Sequence, residues 1–265
     1  MLPDYHFHTN FSGDSETPMR AQLERAISLG MASLCVTDHH DYDVDSVIDF
    51  TLQTDQYFEA MSALREEFKD RIDLHIGIEL GLQTHLKEYY RELLSSYPFD
   101  FVIGSTHFIN RKDPAYPEYF EGREEQKAYL QYFQATLDNV KNIDNYDVAG
   151  HIDYIVRYGP NKALYYSYEA YRDILDDILK VIIERGKGIE CNTAGFRKGI
   201  GQPNPCADIL KRYKELGGEI ITIGSDAHIP EDLGADFQTA GELLKQCGFS
   251  YYTEFCGRNP EFKPL

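Results

Sequence analysis

The chain has 265 residues, with 44 Asp or Glu against 26 Lys or Arg and a formal charge of -18 with neutral histidines. That length suits one large α/β unit, and an apolar fraction of 42% excludes general disorder. The acidity excludes a nucleic acid as the main partner, because duplex binders need a basic footprint.

In chain order, short apolar runs predict strands over 5–8, 33–37, 74–79, 101–105, 148–151, 187–191 and 219–223. Between them, helical spacing predicts helices. The first has Thr17 as N-cap, Pro18 at the first helical position and Gly30 as terminator; the others cover 53–68, 86–94, 124–141, 168–185, 205–216 and 233–246. Seven alternating units predict a barrel, and the absence of a linker or repeat predicts a single domain over residues 1–265. Two long connections, 107–122 and 151–167, follow strand ends and mix Tyr, Asp, Arg and Lys, as substrate-shaping loops do. Five cysteines without a CxxC pair predict reduced thiols and a cytoplasmic protein; no secretory leader and no run of 18 apolar residues is visible, so no membrane partner is expected.

Ionisable residues gather at the ends of the predicted strands. His6 and His8 alternate onto one side of the first, where two imidazoles can grip one divalent ion. TDHH carries His39 at the end of the second, IGIEL carries Glu79, GSTH carries His107, AGH carries His151, and GSDAH carries Asp226 and His228. A barrel brings those ends together. Cores seldom gain from buried imidazoles and carboxylates unless something pairs with them. The spacing therefore assigns His6, His8, His39, His107, His151 and His228 to metal binding, with Asp14, Glu79 and Asp226 as carboxylates. Of the remaining histidines, His40 either supports a ligand from behind or packs beside its neighbour, and His75 and His85 are left with structural roles.

The ordered set HxH, TDHH, IGxE, GSTH, AGH and SDAH, running from Leu2 to about His228, resembles the PHP (polymerase and histidinol phosphatase) family of metal-dependent phosphoesterases. The resemblance implies a distorted (β/α)7, TIM-like barrel with three divalent ions, drawn from zinc, manganese and iron. It further implies that His6, His8, Glu79 and Asp226 hold one ion, that Glu79, His107 and His151 hold its neighbour, and that Asp14, His39 and His228 hold the third. Many relatives have histidine at the position of Asp14, so this chain offers a harder ligand there. The implied substrate is a small phosphomonoester, L-histidinol phosphate for family members of this size. Its hydrolysis by a metal-activated hydroxide would yield L-histidinol and inorganic phosphate, a step of histidine biosynthesis. Asp14 or His228 would serve the leaving group as proton donor, beside a metal-bound water. The competing readings are a protein-tyrosine phosphatase, a nuclease-like member and a non-catalytic metal-binding protein.

For the phosphate, Arg197 beyond the sixth strand is the expected clamp, since a guanidinium holds two oxygens at once. Ser105, Asn192 and Arg157 are further expected substrate contacts, with Lys198 and Arg111 behind them. Asp41, Asp43, Asp153 and Glu254 could pair with a substrate amine, and Tyr116, Tyr119, Phe120 or Tyr154 could stack on its ring.

Overall fold

Both faces of the central strands are apolar, and the chain covers both. The computed structural model describes the backbone of residues 1–265 and every side chain except that of Ala163. In chain order the elements are α1 Met19–Ser28, β1 Ser33–Val36, β2 His39–His40, α2 Thr54–Phe68, β3 Asp73–Gly81, α3 Lys87–Ser96, β4 Phe101–Ser105, α4 Glu125–Asn142, β5 Val148–Ala149, α5 Arg172–Glu184, β6 Gly188–Asn192, α6 Ala194–Arg197, α7 Ala207–Glu215, β7 Ile221–Gly224, α8 Phe237–Gln246, β8 Tyr251–Cys256 and β9 Asn259–Pro264. Leu74, Ile76, Ile78 and Leu80 of β3 pack into the large core beneath the helices. Tyr5, Cys35, Phe101, Ile103, Val148 and Phe255 form a separate cluster inside the barrel. Strands buried on two sides read as near-continuous apolar runs, as parallel strands under helices do.

The sheet is parallel in the order β1-β3-β4-β5-β6-β7, and β2 continues beside β3 in the same register after Thr37 and Asp38. The first predicted strand is extended but makes only isolated bridges, Asp4 to Leu34 and Phe7 to Ala227. Its hydrogen bonds nevertheless reach both edges of the sheet. The Cys35 and Thr37 N–H groups donate to Asp4 and Phe7, while the Tyr5 and His8 N–H groups donate to Ile223 and Ala227. Residues 4–8 thus act as the seventh stave of a distorted α/β barrel.

Two local expectations need correction. The first helix starts at Met19, with extended Pro18 as its N-cap; the Thr17 hydroxyl is diverted to the backbone oxygen of His228, 2.7 Å away. Beyond the seventh strand lies an antiparallel hairpin, β8 with β9, that periodicity did not single out. Its turn residues, Gly257 and Arg258, have φ of 53° and 65°, as the mirror-image turns of tight hairpins require. The hairpin covers the base of the barrel: Phe255 enters the inner cluster, Thr253 accepts the Ile221 N–H, and Asp100 accepts the Gly257 N–H.

Candidate metal centre

The predicted ligands meet at the C-terminal ends of the strands, where barrel sites are built. His6 and His8 turn inward from the closing stave while Phe7 between them packs in the core. Their approach to β7 depends on Gly224, since a methyl group there would stand 2.2 Å from the His6 Cβ. Glu79 lies at the centre. Its Oε2 is 3.2 Å from His6 Nε2, 3.6 Å from His8 Nε2 and 3.0 Å from His39 Nδ1. Its Oε1 faces the other way, 3.2 Å from His107 Nε2 and 3.0 Å from His151 Nε2. Asp226 Oδ1 is 3.4 Å from His8 Nε2. Asp14 Oδ2 lies 3.1 Å from His228 Nε2 and 3.8 Å from His39 Nε2. Four overlapping groups have ligand atoms within 4.8 Å of one another: His6–His8–Asp226, His6–Glu79–His151, His39–Glu79–His107 and His8–His39–His228.

Hydrogen bonds on the far side of these rings aim bare lone pairs inward. His6 donates from Nδ1 to Glu190 Oε2 at 2.7 Å, and His107 from Nδ1 to Asp41 Oδ1 at 3.0 Å. The Ser12 hydroxyl donates to Asp38, so its oxygen accepts from His8 Nδ1 and from the His39 N–H. His228 Nδ1 donates to the backbone oxygen of Asp226. Among the described residues, His6 Nε2, His8 Nε2, His39 Nδ1 and Glu79 Oε2 are left buried without a hydrogen-bond partner. Each such atom costs about 1–3 kcal/mol. A divalent cation satisfies them together, and nitrogen and oxygen donors backed by outer hydrogen bonds are the set that zinc and its neighbours take.

The electrostatics have the same cause. Burial pushes the Glu79 carboxyl up, but His6, His107 and His39 outweigh it and hold the group well below the ordinary range. Asp226 follows the same pattern, held down by Arg157 and His6 against burial. Burial lowers His39 too, yet Glu79 and Asp14 raise it to about 9. At His8, stacked between His39 and His228, their like charges reinforce burial and hold the ring well below 6.5, leaving it neutral and ready to ligate.

A cavity of about 490 Å³ opens over the cluster, lined in part by Asp14, Phe50, Tyr116, Tyr154, Arg157, Arg197 and Asp232. Arg157 is buried and fixed at three nitrogens, to Asp226 at 2.7 Å, Asn192 at 2.9 Å and Asn204 at 2.7 Å. Arg197 donates through Nη2 to the Ser225 oxygen, while its Nη1 is buried without a hydrogen bond.

Two expected substrate contacts are corrected. Ser105 is fully buried and donates to Glu79 Oε1 at 2.6 Å; Asn192 is fully buried and braces Arg157 and Asp226. Neither reaches the cavity wall, so both act by holding other residues in place. Among the expected amine partners, Asp43 pairs with Arg111 and His85, Asp153 is buried against Tyr166 and Asn204, and Glu254 lies at the base against Ser33. Asp41 lines the cavity and holds His107. Tyr119 and Phe120 belong to the core, not to the wall.

Glu190 is the residue that sequence reasoning missed. It is fully buried in β6, accepts the hydrogen bond of His6 Nδ1, and accepts the His151 N–H at 2.6 Å. A signal was available, because Gly188-Ile189-Glu190 repeats the Gly77-Ile78-Glu79 tripeptide of β3. Glu190→Gln is expected to weaken metal retention about 10–100-fold, read as metal content against chelator concentration.

The model of the PHP domain matches residues 4–194. The chain belongs to the PHP family. Among its PHP relatives, a histidinol-phosphatase of Lactococcus lactis subsp. lactis is 36% identical over 96% of this chain and 94% of its own. A "Probable histidinol-phosphatase" of Clostridium acetobutylicum is 31% identical over 93% of this chain and 94% of its own. This PHP barrel also superposes with a TM-score of 0.91 on a crystal structure of histidinol phosphate phosphatase from Lactococcus lactis complexed with zinc, L-histidinol and phosphate. That structure is 35% identical, with 98% of each chain covered. The order of strand ends bearing histidine and carboxylate in this PHP chain is the order in which the barrel presents them.

Proposed function

We propose that this chain is an L-histidinol-phosphate phosphatase of the cytoplasm, hydrolysing the phosphomonoester to L-histidinol and inorganic phosphate with three divalent ions. The near-complete superposition on the Lactococcus enzyme complexed with zinc, L-histidinol and phosphate carries this reading. His6, His8, Glu79 and Asp226 would hold one ion, Glu79, His107 and His151 the second, and Asp14, His39 and His228 the third. The two-sided contacts of Glu79 support its place between the first two. The oxygen of Asp14 favours manganese or iron in the third position. The ions would supply Lewis acidity for the phosphate oxygens and a water acidic enough to attack at neutral pH.

The chain's own residues do the rest. Arg197 and Arg157, which both line the cavity, receive the remaining phosphate oxygens and set the ester bond over the ligand cluster. Asp14 and His228, partly exposed and 3.1 Å apart, flank the position where the departing alkoxide would collect its proton from water. Tyr116, Tyr154 and Phe50 offer rings to the imidazole, and Asp232 offers a carboxylate to the amine. Residues 1–265 act as one unit, since the hairpin that follows the barrel also seals it.

The deciding assay compares metal-loaded protein on histidinol phosphate, phosphotyrosine, sugar phosphates and short DNA. A kcat/KM for histidinol phosphate at least about 100-fold above the others is expected, as specific polar recognition gives. Faster turnover of any competitor overturns the substrate assignment.

A further inference from the structure

The base of the barrel carries a second set of metal-type donors. His75 of β3, Asp100 just before β4 and Cys256 at the end of β8 each present a ligand atom within 4.8 Å of the others. His75 shares a face of β3 with Glu79 but sits four residues earlier, about 13 Å further down the strand. Its side chain is only 9% exposed, and the Tyr5 ring lies 6.0 Å away. Among the described residues it forms no hydrogen bond; a carboxylate oxygen of Asp73 stands 3.5 Å from Nε2. The ring is held at the edge of the core with a carboxylate and a thiol beside it.

The other two donors are free to ligate. Asp100 Oδ2 accepts the Ile76 N–H and pairs with Arg65, whereas Oδ1 accepts only the Gly257 N–H, at 3.1 Å, and keeps a lone pair. Cys256 is exposed, while Cys35, Cys191, Cys206 and Cys247 are buried.

We infer that His75, Asp100 and Cys256 bind one zinc-type ion at the base of the barrel, separate from the centre at its mouth. Nitrogen, oxygen and sulfur donors in one cluster select zinc over magnesium or calcium, and rotation of the exposed cysteine closes the set to tetrahedral contacts. Asp73 or water completes it. The thiol proton passes to solvent as the sulfur–metal bond forms. Bound there, the ion fastens the β8–β9 hairpin to β3 and β4. The site does not depend on the catalytic reading, because none of its residues touches the mouth.

Cobalt(II) alone is the probe. Full-length protein saturated with cobalt and desalted is expected to show a thiolate-to-cobalt charge-transfer absorption and to hold one more ion per chain than Cys256→Ser. That variant is expected to lose the absorption and to keep its phosphatase activity within about twofold, since surface changes away from a site are mild. No absorption in the parent protein, or equal ion counts, overturns the site. Independently, zinc is expected to slow iodoacetamide labelling of Cys256 by at least about tenfold, because the metal occupies the nucleophilic sulfur. Unchanged labelling argues equally against it.

Discussion

Glu79→Gln is expected to leave the barrel folded and to lower kcat/KM by at least about 10³-fold, equivalent to about 4 kcal/mol of transition-state stabilisation. The carboxylate is fully buried, and its two oxygens face separate groups of imidazoles, His6, His8 and His39 on one side and His107 and His151 on the other. Glutamine preserves the shape but offers one oxygen and an amide that donates where a cation should sit. The imidazoles then find a hydrogen-bond partner, and the proposed pair of ions would lose its common ligand. Steady-state kinetics with elemental analysis checks this. Full activity at full metal content would remove Glu79 from the bridging position.

Arg157→Met is expected to cost stability and activity together. Removing one partner of a buried ion pair costs about 3–5 kcal/mol. Here the change also strips hydrogen bonds from Asn192 and Asn204 and frees Asp226, which the guanidinium holds in its ionised form. The fall in kcat/KM should be about 10²–10³-fold, as for loss of one preorganised electrostatic donor. Arg157→Lys should recover little, because one ammonium cannot replace three directed contacts on a planar fork. Denaturant unfolding and kinetics of both variants provide the test. A fully active lysine variant would show that only the charge matters.

The candidate ligands were legible because their residue types are out of place. His107, His151 and Asp226 each follow an apolar strand that packing alone would not end with an ionisable group, so chemistry stands out against the core. Apolar runs located all seven staves to within a few residues of their ends, the closing one included. The closing stave makes too few paired contacts to register as a regular strand. Glu190 escaped because it lies inside its strand, among residues that also belong to the barrel interior, and its role appears only when His6 arrives from the far end of the chain. Ser105 and Asn192 were given the right neighbourhood and the wrong partners: nothing in GSTH or CNTAG reveals whether a polar side chain faces the cavity or the ligand behind it. The hairpin was obscured by a Gly-Arg turn in place of the commoner Asn-Gly, and by strands whose exposed faces carry little apolar pattern.

The stave formed by residues 4–8 has a consequence for how the protein is made. Asp4 accepts the N–H of Ser225, a residue 221 positions later, and His6 meets Asp226 across the same seam. At synthesis rates of about 5–20 residues per second, the N-terminal histidines wait roughly 10–45 s on the ribosome for the segment that completes their site. Through that interval the nascent chain presents loose imidazoles without the architecture that confers selectivity. With the proposed ligand set, the site would be complete only at ring closure, and an ion captured earlier would meet an unfinished chain.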